Sequence, residues 1–164
     1  MRFQGVLFEA KGNKARFIER AFDVPWTYDG VDEVLPSLVA GDKDSLRLWA
    51  AAHYEQGATR GEKGLVALSA AVLDCDCTDP GTLDRVVEHL DALGLAYVVY
   101  TSWSHGAGGK VHKPTGKTGP FDCFRVVMPY SRPLAPHEHR SAVTRLYGQE
   151  VPSLADQHPR GGMR

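Results

Sequence analysis

The sequence predicts an α+β domain, and three observations predict it. An apolar run of strand length, Leu65–Leu73, ends in Asp74-Cys75-Asp76. A stripe of Leu83, Val86, Val87, Leu90 and Leu93 then recurs at spacings of three and four, the period of a helix with one apolar face. Two further apolar runs, Ala96–Tyr100 and Phe124–Met128, have the length and β-branched content of strands. The order strand, helix, strand over 65–101 reads as a βαβ unit.

In chain order, Gln4–Glu9 reads as a short strand and Lys11–Lys14 as a turn. Ala15–Ala21 fits a helical turn or a second strand. Pro25 and Pro36, with Asp29-Gly30 between them, predict irregular chain. Asp44 or Ser45 is a candidate N-cap for a helix to about Gln56, with Leu46, Leu48, Trp49, Ala52 and Tyr54 on its apolar face and Gly57 at its stop. Asp79-Pro80 opens the helix after the first long strand, and Gly94 ends it. The third strand runs over Phe121–Met128 until Pro129 stops it. Pro136 opens a last helix to about Tyr147. The expectation is a single domain over 1–164, with an N-terminal αβ unit at 1–64, a core at 65–150 and a polar tail at 151–164.

Composition bounds the function. With 164 residues the chain is long enough for one core. A hydrophobic content of 43% and a charged content of 24% are ordinary for a globular domain. A net charge of -1 gives no global pull toward nucleic acid, so any such contact depends on local charge segregation. The three cysteines follow no framework spacing, which predicts free thiols in a reducing, cytoplasmic setting. Cys75-x-Cys77 without a second ligand pair is weak as a zinc motif. No apolar run reaches membrane-spanning length.

The chemistry concentrates at the strand ends. Strand period two puts Asp74 and Asp76 on one face and Cys75 and Cys77 on the other. Aspartates there also serve as turn or capping residues. Two carboxylates on one face repel unless a cation offsets them, and they form a hard-oxygen site for a divalent ion. The second strand delivers Thr101-Ser102-Trp103-Ser104-His105, and His105 is a candidate partner for that pair. Gly106–Pro120 holds Lys110, His112, Lys113 and Lys117 with five glycines and no acid. Such a stretch can approach phosphate closely, or it can be a solvated connecting loop. Gly116-Lys117-Thr118 is no P-loop, because the motif's first glycine would fall at Val111 and Pro120 stands where a helix should begin. His137-Glu138-His139 reads as a solvated helix start, since neighbours one and two apart do not share a helix face.

Three segments together resemble the archaeo-eukaryotic primase superfamily, in particular the primase-polymerase-like domains of phages, plasmids and integrated elements. They are Leu73-Asp74-Cys75-Asp76, then Tyr100-Thr101-Ser102-Trp103-Ser104-His105, then Phe124-Arg125-Val126-Val127-Met128-Pro129-Tyr130-Ser131-Arg132-Pro133-Leu134. The likeness covers Leu46 to about Arg132. It implies an RRM-like βαβ sheet packed with an N-terminal α/β unit. It implies Asp74 and Asp76 as ligands of Mg²⁺ or Mn²⁺, with Asp156 as the later acid of the metal site. It implies His105 as a contact to the phosphates of an incoming nucleotide and Arg125 as support for phosphates or template. The position two before the histidine, serine in that family, is Trp103 here, which leaves Ser102 and Ser104 as substitutes. The tail stops soon after Asp156, where that family commonly continues, so the chain reads as a small natural protein or as a piece of a longer one.

The resemblance makes a metal-dependent, template-directed nucleotidyltransferase the leading expectation, a primase or polymerase that makes or extends primers. Its catalytic residues would be Asp74, Asp76, His105 and Asp156. Its nucleotide-binding residues would be Ser104, His105, Lys110, Lys113, Lys117 and Arg125. The implied partners are nucleoside triphosphates, a single-stranded DNA template and a helicase domain or protein, with no membrane. One alternative is a nucleotide- or single-strand-binding module on the same fold without catalysis. Another is a metal-dependent nuclease with His105 as its base.

Overall fold

The computed structural model describes residues 1–8, 17–35, 48–61, 63–77, 79, 81–102, 104–112 and 115–146. Over these the chain is a mixed α+β fold with antiparallel strand pairs and three helices. It divides into two compact units, Met1–Ala71 with Pro129–His139, and Val72–Met128 with the described part of Arg140–Arg164. None of the three helices is long and apolar enough to cross a membrane.

The first unit begins with β1 (Arg2–Phe8), paired antiparallel to β2 (Ile18–Pro25) on one side and to β3 (Trp49–Ala50) on the other. Phe3 is fully buried, and its ring meets Phe22, Trp26 and Trp49 at centroid distances of 5.0, 5.4 and 5.6 Å. Edge-to-face and tilted ring pairs of this kind contribute about 0.5–1.5 kcal/mol each beyond area burial. Gly5 lies so close to the Ala50 carbonyl and the Phe22 ring that a Cβ there would clash with both. A short helix, α1 (Tyr28–Val34), follows β2, in a region where the two prolines predict irregular chain. It forms because Thr27 caps it, its Oγ1 accepting from the Gly30 N–H at 3.2 Å, and because Val31 and Val34 bury.

The predicted helix to Gln56 is not present over 49–54. That stretch forms β3 and β4 (Ala52–Tyr54), and Asp44, Ser45 and Leu46 lie outside the described residues. The alanine-rich segment has adequate helix propensity, but two sheet edges supply partners for its backbone. Trp49 and Ala50 pair with β1, and Ala52–Tyr54 pair with the start of the long strand β5 (Leu65–Cys77). Tertiary pairing overrides propensity here.

β4 and β5 belong to a four-stranded sheet in the order β4-β5-β9-β6, with β6 at Val98–Thr101 and β9 at Asp122–Leu134. The helix between β5 and β6 is α2 (Thr82–Ala92), and α3 (Pro136–Arg145) follows β9. β5, α2 and β6 are therefore not a simple βαβ pair of neighbours: β9 lies between β5 and β6, as in a split βαβ arrangement. Pro129 does not stop β9, which runs on to Leu134. On the β6 side, the register begins at Val98 opposite Val127, so a proline at 129 removes no donor that β6 needs.

In the second unit the apolar positions behave as their period predicts. Leu73, Cys75 and Cys77 are buried, while Val72 and Asp74 are exposed. α2 buries Thr82, Val86 and Leu90, one turn apart each, and Leu93 of the predicted stripe is exposed beyond its end. Full burial of a side chain such as Val86 or Leu90 contributes roughly 1.5–3 kcal/mol. Gly94, in the left-handed region at φ 64°, terminates α2 as predicted. The three cysteines are buried thiols with no disulfide between them.

Candidate functional site

The described members of the predicted site all lie in the second unit. Asp74 and Asp76 point out of β5, opposite to the buried Cys75 and Cys77; Asp74 is exposed and Asp76 half-buried. Asp74 does not stand alone. Arg125, on the neighbouring strand β9, donates from Nε to Asp74 Oδ1 at 3.1 Å. Arg125 in turn is directly opposite Tyr100 in the β6–β9 register. Burial works against the charge of the guanidinium, but Tyr100 and Asp74 more than offset it and hold its pKa above the ordinary arginine value. Asp74, Arg125 and Tyr100 thus form one row across three adjacent strands.

Tyr100 is the residue that the sequence did not single out. It looked like the last apolar position of a strand, and only the register that sets it opposite Arg125 gives it a place in the site. The site also gains Asp122, whose Oδ2 accepts from the Leu83 N–H at 3.2 Å at the start of α2. Among the described residues no capping bond from the Asp79 side chain is seen there. Asp79 instead offers its backbone carbonyl to the Thr82 hydroxyl at 2.7 Å, and Gly81, at φ 73°, takes the N-cap position.

His105 sits in the turn after β6, tied to the start of β9. The Ser102 N–H donates to the Cys123 carbonyl at 2.8 Å, continuing the ladder. The next bond of that ladder is taken over by the imidazole, because the Cys123 N–H donates to His105 Nδ1 at 3.3 Å. A backbone N–H can only donate, so Nδ1 is the acceptor and the ring proton of the neutral form is on Nε2. In that tautomer His105 offers a donor at Nε2. Ser104 lies within 3.4 Å of Ser102, hydroxyl to hydroxyl.

The glycine-rich segment is a hairpin over its described residues. β7 (Lys110–Val111) pairs with β8 (Thr118–Gly119), and the Gly116 N–H donates to the His112 carbonyl at 2.8 Å across the turn. His112 is buried, bonded through Nδ1 to Thr115 Oγ1 at 2.7 Å and packed edge-on to Phe121, so it adds nothing to a basic surface. The Phe121 ring fills the space a Cβ on Gly119 would need. Lys117 reaches Asp79 at 3.9 Å, which brings the basic segment to the acidic one. Of Lys110 only the backbone is described, and Lys113, Trp103 and Asp156 lie outside the described residues.

A cavity of about 190 Å³ opens beside the start of α2, lined by Asp79, Gly81, Gly106, Phe121 and Asp122 among others. None of Asp74, Asp76 and Arg125 lines it. It is smaller than the roughly 300–1,000 Å³ of ordinary ligand clefts, so it would not enclose a whole nucleotide.

The carboxylates fit the divalent cation that the sequence implies. Asp74 and Asp76 supply hard anionic oxygens from one face, a set that Mg²⁺ uses together with waters and phosphate oxygens. Among the described residues no three His, Cys, Asp or Glu side chains gather as a metal cage. The thiols do not compete: burial, reinforced by the Asp122 and Asp76 carboxylates, pushes Cys77 up to about 12, and burial raises Cys75 further. The chain matches no family model, no curated protein and no solved structure.

Proposed function

We propose that the outward face of β5 and β9 binds a divalent cation with a nucleoside triphosphate, and that the protein is a template-directed nucleotidyltransferase that makes or extends primers. The observation that carries this reading is the row on that face: two carboxylates, Asp74 and Asp76, with the Arg125 guanidinium held beside Asp74. A cation and a polyanion are both served by such a face. The strand order β5-β9-β6 supports it, being the order of an RRM-like split βαβ sheet.

On this reading Asp74 and Asp76 hold the metal ion, joined by Asp156. When bound, Mg²⁺ or Mn²⁺ neutralises phosphate charge and favours attack by the primer's 3′-hydroxyl. Arg125 neutralises phosphate charge from β9, and His105 donates Nε2–H to a phosphate oxygen. Ser104, Lys110, Lys113 and Lys117 supply further contacts to the triphosphate or to the single-stranded template. A helicase domain or protein remains the proposed partner.

The second reading is a nucleotide- or single-strand-binding module without catalysis, and one observation favours it: Asp74 already has a cation partner in Arg125. Extension of a labelled primer on a single-stranded DNA template, with Mg²⁺ or Mn²⁺ and either ribo- or deoxynucleotides, separates the two. The polymerase reading expects extension by the full chain. It expects Asp74→Asn with Asp76→Asn to lower extension a hundredfold or more, since a catalytic metal contributes several kcal/mol. Triphosphate binding without incorporation with either metal leaves the binding module. Full activity in the double variant removes the site assignment.

A further inference from the structure

We infer that Arg125 is an internal competitor for the metal site, which occupies Asp74 until a metal ion takes the carboxylate and then turns to the triphosphate. The inference rests on the metal–triphosphate reading above and adds to it the regulation of that site. Arg125 Nε is 3.1 Å from Asp74 Oδ1, so the guanidinium is placed where an ion on that oxygen would meet like charge. Asp74 is 66% exposed and Arg125 41%, so both can be reached from solvent and the pair can open without unfolding the sheet. Tyr100 lies opposite Arg125 in the β6–β9 register, so the guanidinium sits between Asp74 and β6. When Asp74 turns to a metal ion, Arg125 stays beside the site on β9, its charge available to a phosphate.

This arrangement makes an unusual demand. Removing the Arg125 charge must strengthen binding of the bare ion and weaken binding of the ion with its triphosphate. A residue that only supports the fold would move both in the same direction, or neither.

The test is titration of the full-length chain with Mn²⁺ alone and with Mn²⁺–dATP, for wild type, Arg125→Gln and Asp74→Asn, with thermal melting of each. We expect Arg125→Gln to bind Mn²⁺ roughly two- to tenfold tighter, the effect of removing one partly screened like charge. We expect it to bind Mn²⁺–dATP about tenfold weaker, the effect of losing a charge-assisted phosphate contact. A second measurement needs no substitution: in wild type, Mg²⁺ titration should shift the Arg125 Nε–H resonance with the same midpoint as ion binding. If Mn²⁺ binds through Asp74 but Arg125→Gln binds it no tighter, or the Nε–H resonance does not respond to Mg²⁺, the competition is wrong while the site stands. If Asp74→Asn leaves Mn²⁺ binding unchanged, the metal site falls and the competition with it.

Discussion

At the scale of single residues, His105 has two tasks that a substitution can separate. Its Nδ1 accepts from the Cys123 N–H at the end of the β6–β9 pairing, and under the proposed function its Nε2–H donates to a phosphate. His105→Ala removes both. It takes the imidazole partner from a backbone donor, at about 1–3 kcal/mol of stability, and removes the proposed phosphate contact. His105→Asn keeps an acceptor near the Nδ1 position and loses the outer donor. The expected result is a melting temperature close to wild type for the asparagine variant, with triphosphate affinity down roughly ten- to a hundredfold. Equal affinity in wild type and His105→Asn would make His105 a strand-end residue and nothing more. His105, Asp74 and Asp76 stand out in sequence because each ends or follows an apolar run. Tyr100 does not, because an aromatic residue inside such a run looks like core.

At the scale of elements, the turn from β9 into α3 shows how a reading by neighbours in sequence fails. His137-Glu138-His139 predicts a solvated helix start, and for His137, which is exposed, this holds, while Glu138 is half-buried. The Glu138 carboxylate accepts from Arg132 Nη2 at 2.7 Å and from the Ala135 N–H at 2.9 Å, half of a capping box at the head of α3. His139 is instead buried, its Nδ1 2.9 Å from the Tyr130 hydroxyl on β9. Burial lowers the His139 pKa and pushes Tyr130 up to about 12, so both are neutral near pH 7. The folded pKa of His139 lies below the ordinary value of 6.5, so its contribution to stability is complete above that value and is lost as pH falls below it. Arg132 and the Ala135 N–H hold Glu138 down at about 2 against an ordinary 4.5, so its contribution is complete above 4.5 and is lost as pH falls through 2. The melting temperature should therefore decline in two ranges on acidification, the first below pH 6.5 and the second below pH 4.5. His139→Gln should flatten the first and Glu138→Gln the second. A profile unchanged by both substitutions would show that neither group is linked to folding.

At the scale of the whole molecule, the cysteines give a direct measure of how well the sequence reads. An odd number of thiols, two of them on the inward side of one strand, predicts free and buried side chains, and all three are buried without a disulfide. Alkylation at neutral pH without reductant should leave the native protein almost unmodified, because the thiolate is the reactive form and Cys75 and Cys77 are held protonated. The same reaction in denaturant should add three labels. Rapid labelling of the native chain would contradict the burial. The sequence by itself determined what depends on period and local chemistry: the α+β class, the two faces of β5, the stripe on α2 and its glycine stop, and the thiol state. Only the tertiary structure decided which backbone edges meet. It turned the alanine-rich segment before Gly57 into β3 and β4, carried β9 past Pro129, and set β9 between β5 and β6. That last choice puts Arg125 beside Asp74 and opposite Tyr100. The reason is physical: side-chain period is written in neighbours along the chain, whereas strand pairing is settled by unsatisfied backbone donors and acceptors finding partners tens of residues away.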